Sequence, residues 1–389
     1  LAQAGILIDH ADMLTDPVDV VIAGGGAVGS AAAWFLSREP AFHGNIVVIE
    51  PDPSYQFAAS ARSASSIRRQ FSTPLNIALS EFGWQFLSAL PEAGLTESTY
   101  LYLASAAGLP ALEAGVAVQQ HCGVPTRLHD AATLARRYPW LNTTDLAGGA
   151  DTDCGEGWFD GYSLVRALRV ANEQRGVRYL RERVAAVETA ADGSARAVHL
   201  GSGSRLALRW LVLAAGTQSR ALAAGAGVEL PIFPRKRSVF VFESPAPIEH
   251  CPLVIDTSGL WFRPEGRGYI GGTVPPHDVD VAPDDFEVDH DQFDALVWPA
   301  LSHRVPRFEA LRCTGSWAGH YDYNVFDQNA FLGPCESVPN LLLACGFSGH
   351  GLQQAPAVGR ALAEHIAFGQ YRSIDVTPLS YSRYLQGRP

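Results

Sequence analysis

Val18-Asp19-Val20-Val21-Ile22-Ala23-Gly24-Gly25-Gly26-Ala27-Val28-Gly29 decides the fold of this chain. Residues 18–23 are apolar apart from one Asp, the pattern of a parallel strand buried on both faces. The glycines follow at the spacing G-x-G-x-x-G, with Ala27 and Val28 between the last two. An Ala-rich helix, Ser30 to Ser37, comes next. A second buried strand, Ile46-Val47-Val48-Ile49, ends on Glu50. The whole is a βαβ unit. In such a unit Gly24 permits the tight turn, Gly26 lets backbone approach a pyrophosphate, and Gly29 lets the helix pack close on the strand. The helix N-terminus offers free N–H groups and a positive dipole end to phosphates. Glu50, followed by Pro51, stands where a carboxylate accepts hydrogen bonds from ribose hydroxyls. The motif predicts a bound dinucleotide without saying which one.

The length of 389 residues suggests two domains, or one large α/β domain with an insertion. With 47% hydrophobic and 18% charged residues, the chain can bury a sizeable core. No stretch approaches the ~20 apolar residues of a membrane span. A formal net charge of −11 argues against a nucleic-acid surface. The densest acidic stretch, Asp284 to Asp291, reads as a solvated loop leading into a helix, and no metal site is expected. Six cysteines, at 122, 154, 251, 313, 335 and 345, form no CxxC pair. Reduced thiols in a cytoplasmic protein are the expectation. Leu1 to Asp16 lacks the basic and apolar regions of a signal peptide. Lysine occurs once, at Lys236, and every other basic residue of the 29 is arginine.

Beyond Glu50 the sequence predicts a polar small-residue loop, Ala58 to Arg68, and a helix over Pro74–Leu90 with apolar residues at helical spacing. Tyr100–Leu103 reads as a short strand, followed by two helices and a loop ending near Gly149. A helix over Gly161–Gly176 precedes strands at Val177–Leu180 and Val184–Val187. A hairpin from Ala195 to Leu208 leads to the buried strand Trp210–Leu213, which ends in Ala214-Ala215-Gly216. Residues 231–325 carry Pro breaks and alternating strands, the mark of an antiparallel sheet, with a helix near 290–303. Asn340 to Cys345 is another buried strand. It runs through Gly346-Phe347-Ser348-Gly349-His350-Gly351 into a last helix near Ala355–Phe368. This second glycine loop repeats the physics of the first: close backbone approach and a positive helix end able to stabilise charge on a redox ring.

Taken in order, Gly24-x-Gly26-x-x-Gly29, Ser60 to Arg68, Ala214-Ala215-Gly216 and Gly346 to Gly351 resemble the D-amino-acid oxidase / sarcosine oxidase superfamily of FAD enzymes. The resemblance spans nearly the whole chain. Pro234-Arg235-Lys236-Arg237, Trp317 to Asn324, Phe326 to Asn329, Gly351 to Pro356 and Glu156 to Asp160 resemble a narrower subgroup. Its members are mitochondrial FAD-dependent oxidoreductase domain-containing proteins implicated in respiratory complex I assembly.

The resemblance implies an α/β fold: a Rossmann-like FAD-binding domain with a parallel sheet, and a second, α+β substrate domain with a mostly antiparallel sheet. The first would comprise 16–97, 151–230 and 326–389, and the second 98–150 and 231–325. The pyrophosphate would lie over Gly24, Gly26, Ala27, Val28 and Gly29, and the adenosine ribose on Glu50 beside Pro51. Ser60, Ser63, Ala64, Ser65 and Ser66 would line the flavin, and Val184 would meet the adenine. Ala214, Ala215 and Gly216, with Gly346, Phe347, Ser348, Gly349, His350, Gly351, Leu352 and Gln353, would close on the dinucleotide.

Such enzymes oxidise the C–N bond of an amine or amino acid by hydride transfer to flavin. Oxygen or another carrier then takes the electrons. Arg68 is the implied carboxylate grip, with Arg69 beside it expected to be solvated. Tyr321, Tyr323 and Trp317 would offer aromatic faces to an amine, and Tyr269 lies on a strand that faces the flavin in relatives. Gln353 stands where sarcosine oxidases carry a substrate-binding lysine, which puts a glycine-like substrate in doubt. No lysine stands near Tyr269, which puts oxygen reactivity in doubt. Gly319 stands where sarcosine oxidases attach flavin to a cysteine, so the expectation is non-covalent FAD. Two other readings stay open: a flavin-bearing assembly or interaction protein with structural FAD, and an NAD-dependent dehydrogenase. The oligomeric state is not legible.

Overall fold

The computed structural model describes residues 17–388, so the segment Leu1 to Asp16 lies outside the described residues. Strand Val18–Ala23 sits at the centre of the first sheet. It pairs in parallel with Arg205–Leu213 on one side and Ile46–Ile49 on the other. The parallel run extends to Arg178–Leu180 at one edge and Val338–Cys345 at the other. Phe331–Cys335 then closes that edge as an antiparallel hairpin partner, a strand the sequence reading missed. The register aligns Ala23 with Ile49 and Leu213, and Leu213 with Leu343. Four strands therefore end in one row, and the crevice beyond carboxyl ends is where open parallel sheets bind ligands.

Side-chain alternation packs the two faces of this sheet. Val20, Ile22, Val48, Val212 and Leu342 meet helices Ala27–Leu36 and Gly351–Phe368 through Ala32, Leu36, Val358 and Leu362. Val21, Val47, Leu211 and Leu343 face the other way, onto Val198 and Leu200. Each apolar side chain buried this way contributes roughly 1.5–3 kcal/mol. Trp210–Leu213 is not a separate strand. It is the second half of Arg205–Leu213, whose first half pairs antiparallel with Ala195–Leu200.

The second sheet has eight strands. Arg312–Asn324 pairs along its length with Ile232–Glu243, and Gly268–Gly272, Trp261–Glu265 and Leu253–Ile255 follow. Tyr100–Ala104, Gly148–Asp151 and Arg127–Asp130 complete it. Every pairing but one is antiparallel; Leu253–Ile255 runs parallel to Tyr100–Ala104. The fold is thus mixed α/β, with a sheet containing parallel strands and a second, mostly antiparallel one. No helix among the described residues is long and apolar enough to cross a membrane.

Candidate cofactor and substrate site

A cavity of about 1020 Å³ opens at the row of strand ends. Ala23, Gly24, Gly26, Ala27 and Val28 form its floor. The turn at Gly24 needs a φ of +102°, which side chains disfavour. A Cβ on Gly29 would land on the carbonyl oxygen of Gly24, so this glycine lies under the turn without lining the cavity. The helix starts at Ala27, three residues before the sequence reading placed it. The Ala27 N–H donates to Ser60 Oγ at 3.1 Å. Glu50 lines the cavity, and its carboxylate accepts from the N–H groups of Gly25 (2.9 Å) and Asp52 (3.0 Å). Burial pushes its pKa up, and these two N–H groups work against that. Pro51, Ser60, Ser63, Ala64, Val184, Ala214, Ala215 and Gly216 also line the cavity.

The second glycine loop forms the opposite wall, through Phe347, Ser348, Gly349, His350, Gly351 and Leu352. Asp322 holds its start: the carboxylate accepts the Gly346 N–H at 2.7 Å and also meets the Phe347 N–H. Burial raises this carboxyl to about 6. Tyr321 and Tyr323 line the same cavity. A Cβ on Gly349 would lie 2.6 Å from the Tyr321 ring, so glycine is what lets loop and ring meet.

A second cavity, of about 450 Å³, adjoins the first and shares His350 and Gln328 with it. Arg68 lines it. One guanidinium nitrogen lies 3.1 Å from His350 Nε2, and the group sits 4.5 Å over the Phe71 ring. No carboxylate among the described residues forms an ion pair with Arg68. Burial opposes its charge, but Tyr102, Tyr100 and Glu156 hold its pKa above the ordinary value. Burial, and then the Arg68 charge, push His350 down to about 3. His350 is therefore neutral, and its Nε2 accepts from Arg68.

Several expected site residues lie elsewhere. Tyr269 is buried in the second sheet's core, stacked on Phe242, with its hydroxyl accepting the Ile248 N–H at 2.7 Å. Trp261, on the neighbouring strand, and Thr273, just past the end of Tyr269's own strand, line the wall instead. The Gln353 side chain lines neither cavity: its Oε1 accepts the Arg68 N–H at 2.9 Å. Ser65 and Ser66 hydrogen-bond within their own loop, and Gly346 packs on Ile232. Trp317 donates its indole N–H to the Arg62 carbonyl, which ties the loop 58–68 to the second sheet. Arg69, expected to be solvated, is buried; it pairs with Glu81 at 2.9 Å and donates to the Cys154 carbonyl. Cys313 is exposed, and Gly319 lines the cavity.

The sequence reading missed Gln70, Tyr102 and Gln119 in the second cavity. Gln70, two residues beyond Arg68, was the available signal. In the sequence, Arg235-Lys236-Arg237 contributes only to the narrower resemblance, with no partner legible for any of the three. Each pairs with an acid of the segment 278–285: Arg235 with Asp280, Lys236 with Asp285 and Arg237 with Asp278. Asp278 and Pro283 of this segment line the first cavity, with Asp284 and Phe286 from the start of the acidic stretch 284–291, which otherwise runs as a largely exposed loop into a helix.

Residues 19–365 match the family described as FAD dependent oxidoreductase. The chain belongs to that family. It is 37% identical to FAD-dependent oxidoreductase domain-containing protein 1 of Xenopus laevis, covering 97% of this chain and 85% of that protein. The Drosophila melanogaster homolog is 34% identical, over 95% and 79%. Among solved structures, L-proline dehydrogenase from P. horikoshii superposes with a TM-score of 0.84 at 24% identity, covering 96% of this chain and all of that one. Glycine oxidase from Geobacillus kaustophilus gives 0.80 at 22%, over 95% and 99%. FAD is therefore the cofactor, which sets aside the NAD-dependent reading. The site fits it: a long cavity floored by backbone, a helix N-terminus and a ribose-type carboxylate at one side, and a second glycine loop at the other.

Proposed function

We propose that the protein oxidises the C–N bond of an amine or amino acid, secondary, N-methylated or of D configuration. Arg68 carries this reading: a half-buried guanidinium, free of any acid partner among the described residues, that lines the second cavity beside His350, a residue both cavities share. A carboxylate is the group such a site suits, because a guanidinium binds it through two parallel hydrogen bonds. Bound FAD supplies the hydride acceptor. On this reading Gln353 acts as a positioning residue, fixing the Arg68 backbone, and neutral His350 orients the guanidinium. Tyr321 and Tyr323 would wall the amine, the glycines and Glu50 would hold the dinucleotide, and FAD would be bound without a covalent link. The chain would divide into cofactor and substrate domains at 97/98, 150/151, 230/231 and 325/326. Lys236, the one lysine, is engaged by Asp285, so we propose an electron acceptor other than oxygen.

A second reading, an assembly or interaction protein with structural FAD, draws on Gln353. Its neutral amide is engaged by backbone, where relatives offer a lysine to substrate. Anaerobic addition of an amino-acid and N-methylamine panel to the yellow holoprotein separates the two. Bleaching near 450 nm by at least one amine supports the enzyme; a spectrum unchanged by every member supports the scaffold.

A further inference from the structure

We infer that the substrate carries its carboxylate apart from the C–N bond it presents for oxidation, with chain atoms between them, because the cation and the cofactor occupy different cavities. The inference deepens the proposed reading of Arg68 as the carboxylate grip and rests on it. Two ring contacts place the guanidinium: it lies 4.5 Å over the Phe71 ring and 6.0 Å over that of Tyr102. Phe71, Tyr102 and Arg68 itself line the second cavity and not the first. The Arg68 Nε is enclosed without a partner, and Nη2 donates to His350 Nε2 at 3.1 Å. Nη1 is neither enclosed nor partnered among the described residues. Nη1 is therefore the atom left for a ligand.

The cofactor lies on the other side of His350. Residues Phe347 to Leu352 wall the first cavity, which FAD fits. The His350 ring reaches from this wall toward the second cavity, where it meets Arg68 and stands edge-on to Phe71 with centroids 5.2 Å apart. Among the described residues only His350 and Gln328 border both cavities. The guanidinium thus stands beyond an imidazole from the cofactor. In an α-amino acid the carboxyl carbon is bonded to the carbon that bears nitrogen, about 1.5 Å away. That is shorter than a ring is wide, so a carboxylate on Arg68 would hold the reacting carbon in the second cavity with it. Added methylenes lengthen the reach bond by bond. An unbranched chain passing His350 and Gln328 brings the amine to the cofactor while the carboxylate keeps its charge-assisted hydrogen bond. The substrate class is that of secondary amines with a remote, ω-terminal carboxylate.

The test uses holoprotein and four ethers in which oxygen replaces the amine nitrogen: methoxyacetate, 3-methoxypropanoate, 4-methoxybutanoate and 5-methoxypentanoate. Titration calorimetry reads a ligand wherever it binds, and the flavin difference spectrum reads only one that reaches the cofactor. At saturation methoxyacetate should leave the flavin spectrum unchanged and 5-methoxypentanoate should perturb it. The member at which the perturbation appears measures the span. Arg68→Met should weaken calorimetric binding of every member about tenfold or more, the loss of one hydrogen bond to a charged group. Arg68→Lys, which keeps a cation, should restore part of it. Flavin content identifies a variant that fails to fold, and the wild-type spectra stand without either variant. Methoxyacetate perturbing the flavin as strongly as the longest member overturns the inference. So does a series that never perturbs it or never binds, or a folded Arg68→Met that binds all four as before. Its failure is distinct from failure of the redox reading. Bleaching by N-methylamino acids that is fastest for sarcosine keeps the redox reading and sinks the remote carboxylate. Length-dependent perturbation by the ethers, in a protein whose flavin no amine bleaches, sinks the redox reading and leaves the two-cavity placement standing.

Discussion

Arg68 and Asp322 are the two residues on which the site turns. Replacing Arg68 by Met removes a buried charge-assisted contact, an effect of about 2–5 kcal/mol. The proposed enzyme should lose about 10²–10³-fold in kcat/KM for carboxylate substrates and retain its flavin, as single-turnover flavin reduction will show. A substrate amine without a carboxylate should be far less affected. Asp322 makes a prediction about pH. Its folded pKa, about 6, lies above the ordinary 3.8, so between these values the folded state holds the extra proton. Stability from this group is fully present below 3.8 and lost as pH rises through 6. Tm measured from pH 3.5 to 7 should therefore fall more with rising pH in the wild type than in Asp322→Asn. Parallel curves would refute it. Residue roles were only partly legible in the sequence. Gly24, Glu50 and His350 stand where local spacing puts them, because loop geometry there is set within a few residues. Tyr269 and Gln353 depend on which face of an element meets which neighbour, which one chain's local pattern does not carry.

Elements were more legible than residues, because apolar periodicity is a local signal. Every strand of the parallel run was readable, and what went unseen was context. Phe331–Cys335 contains Gly and Pro and shows little alternation; it becomes a strand only by pairing with Val338–Cys345. The last helix starts at Gly351 instead of near Ala355. Pro356 invites a start just before it, since proline favours a helix's first turn. Here it lies in the second turn. This helix also packs closely on helix Ala27–Leu36: a Cβ on Gly359 would lie 2.5 Å from the Ala31 backbone carbon and 2.7 Å from its oxygen. Backbone cannot retreat as a flexible side chain does. Gly359→Ala should force apart the two helices that present the glycine loops, costing about 1–3 kcal/mol. A Tm lowered by several degrees, together with faster loss of flavin on dilution, is the expected outcome. An unchanged Tm would show that the helices slide apart freely.

At the scale of the whole molecule, the cavity is a seam between two sheets, and the segment 278–286 is drawn across it. Three consecutive basic residues on one strand of the second sheet hold that segment. Arg237 grips Asp278 through two nitrogens at 2.6 and 2.7 Å, Lys236 reaches both oxygens of Asp285, and Arg235 meets Asp280 at 3.1 Å. Phe286 stacks on His320 with centroids 4.3 Å apart, and Arg62, from the loop after the first βαβ unit, lies over the Phe286 ring at 4.8 Å. The segment thus bridges strands of one sheet and a loop of the other. The ion pairs are partly exposed, so each contributes on the order of 1 kcal/mol or less and weakens with salt. Their sum should still govern how fast FAD leaves, because the segment cannot lift until all three release. Asp278→Asn combined with Asp285→Asn should speed FAD dissociation roughly threefold to tenfold at low salt, by the energies of two such pairs. In the wild type, raising salt to about 1 M should produce much of the same acceleration, since the Debye length then falls to about 3 Å. The double variant, left with only the Arg235–Asp280 pair, should respond to salt less than the wild type. Dissociation followed by the return of free-flavin fluorescence measures both. A variant that releases FAD at the wild-type rate would show that the segment lies over the cavity without closing it.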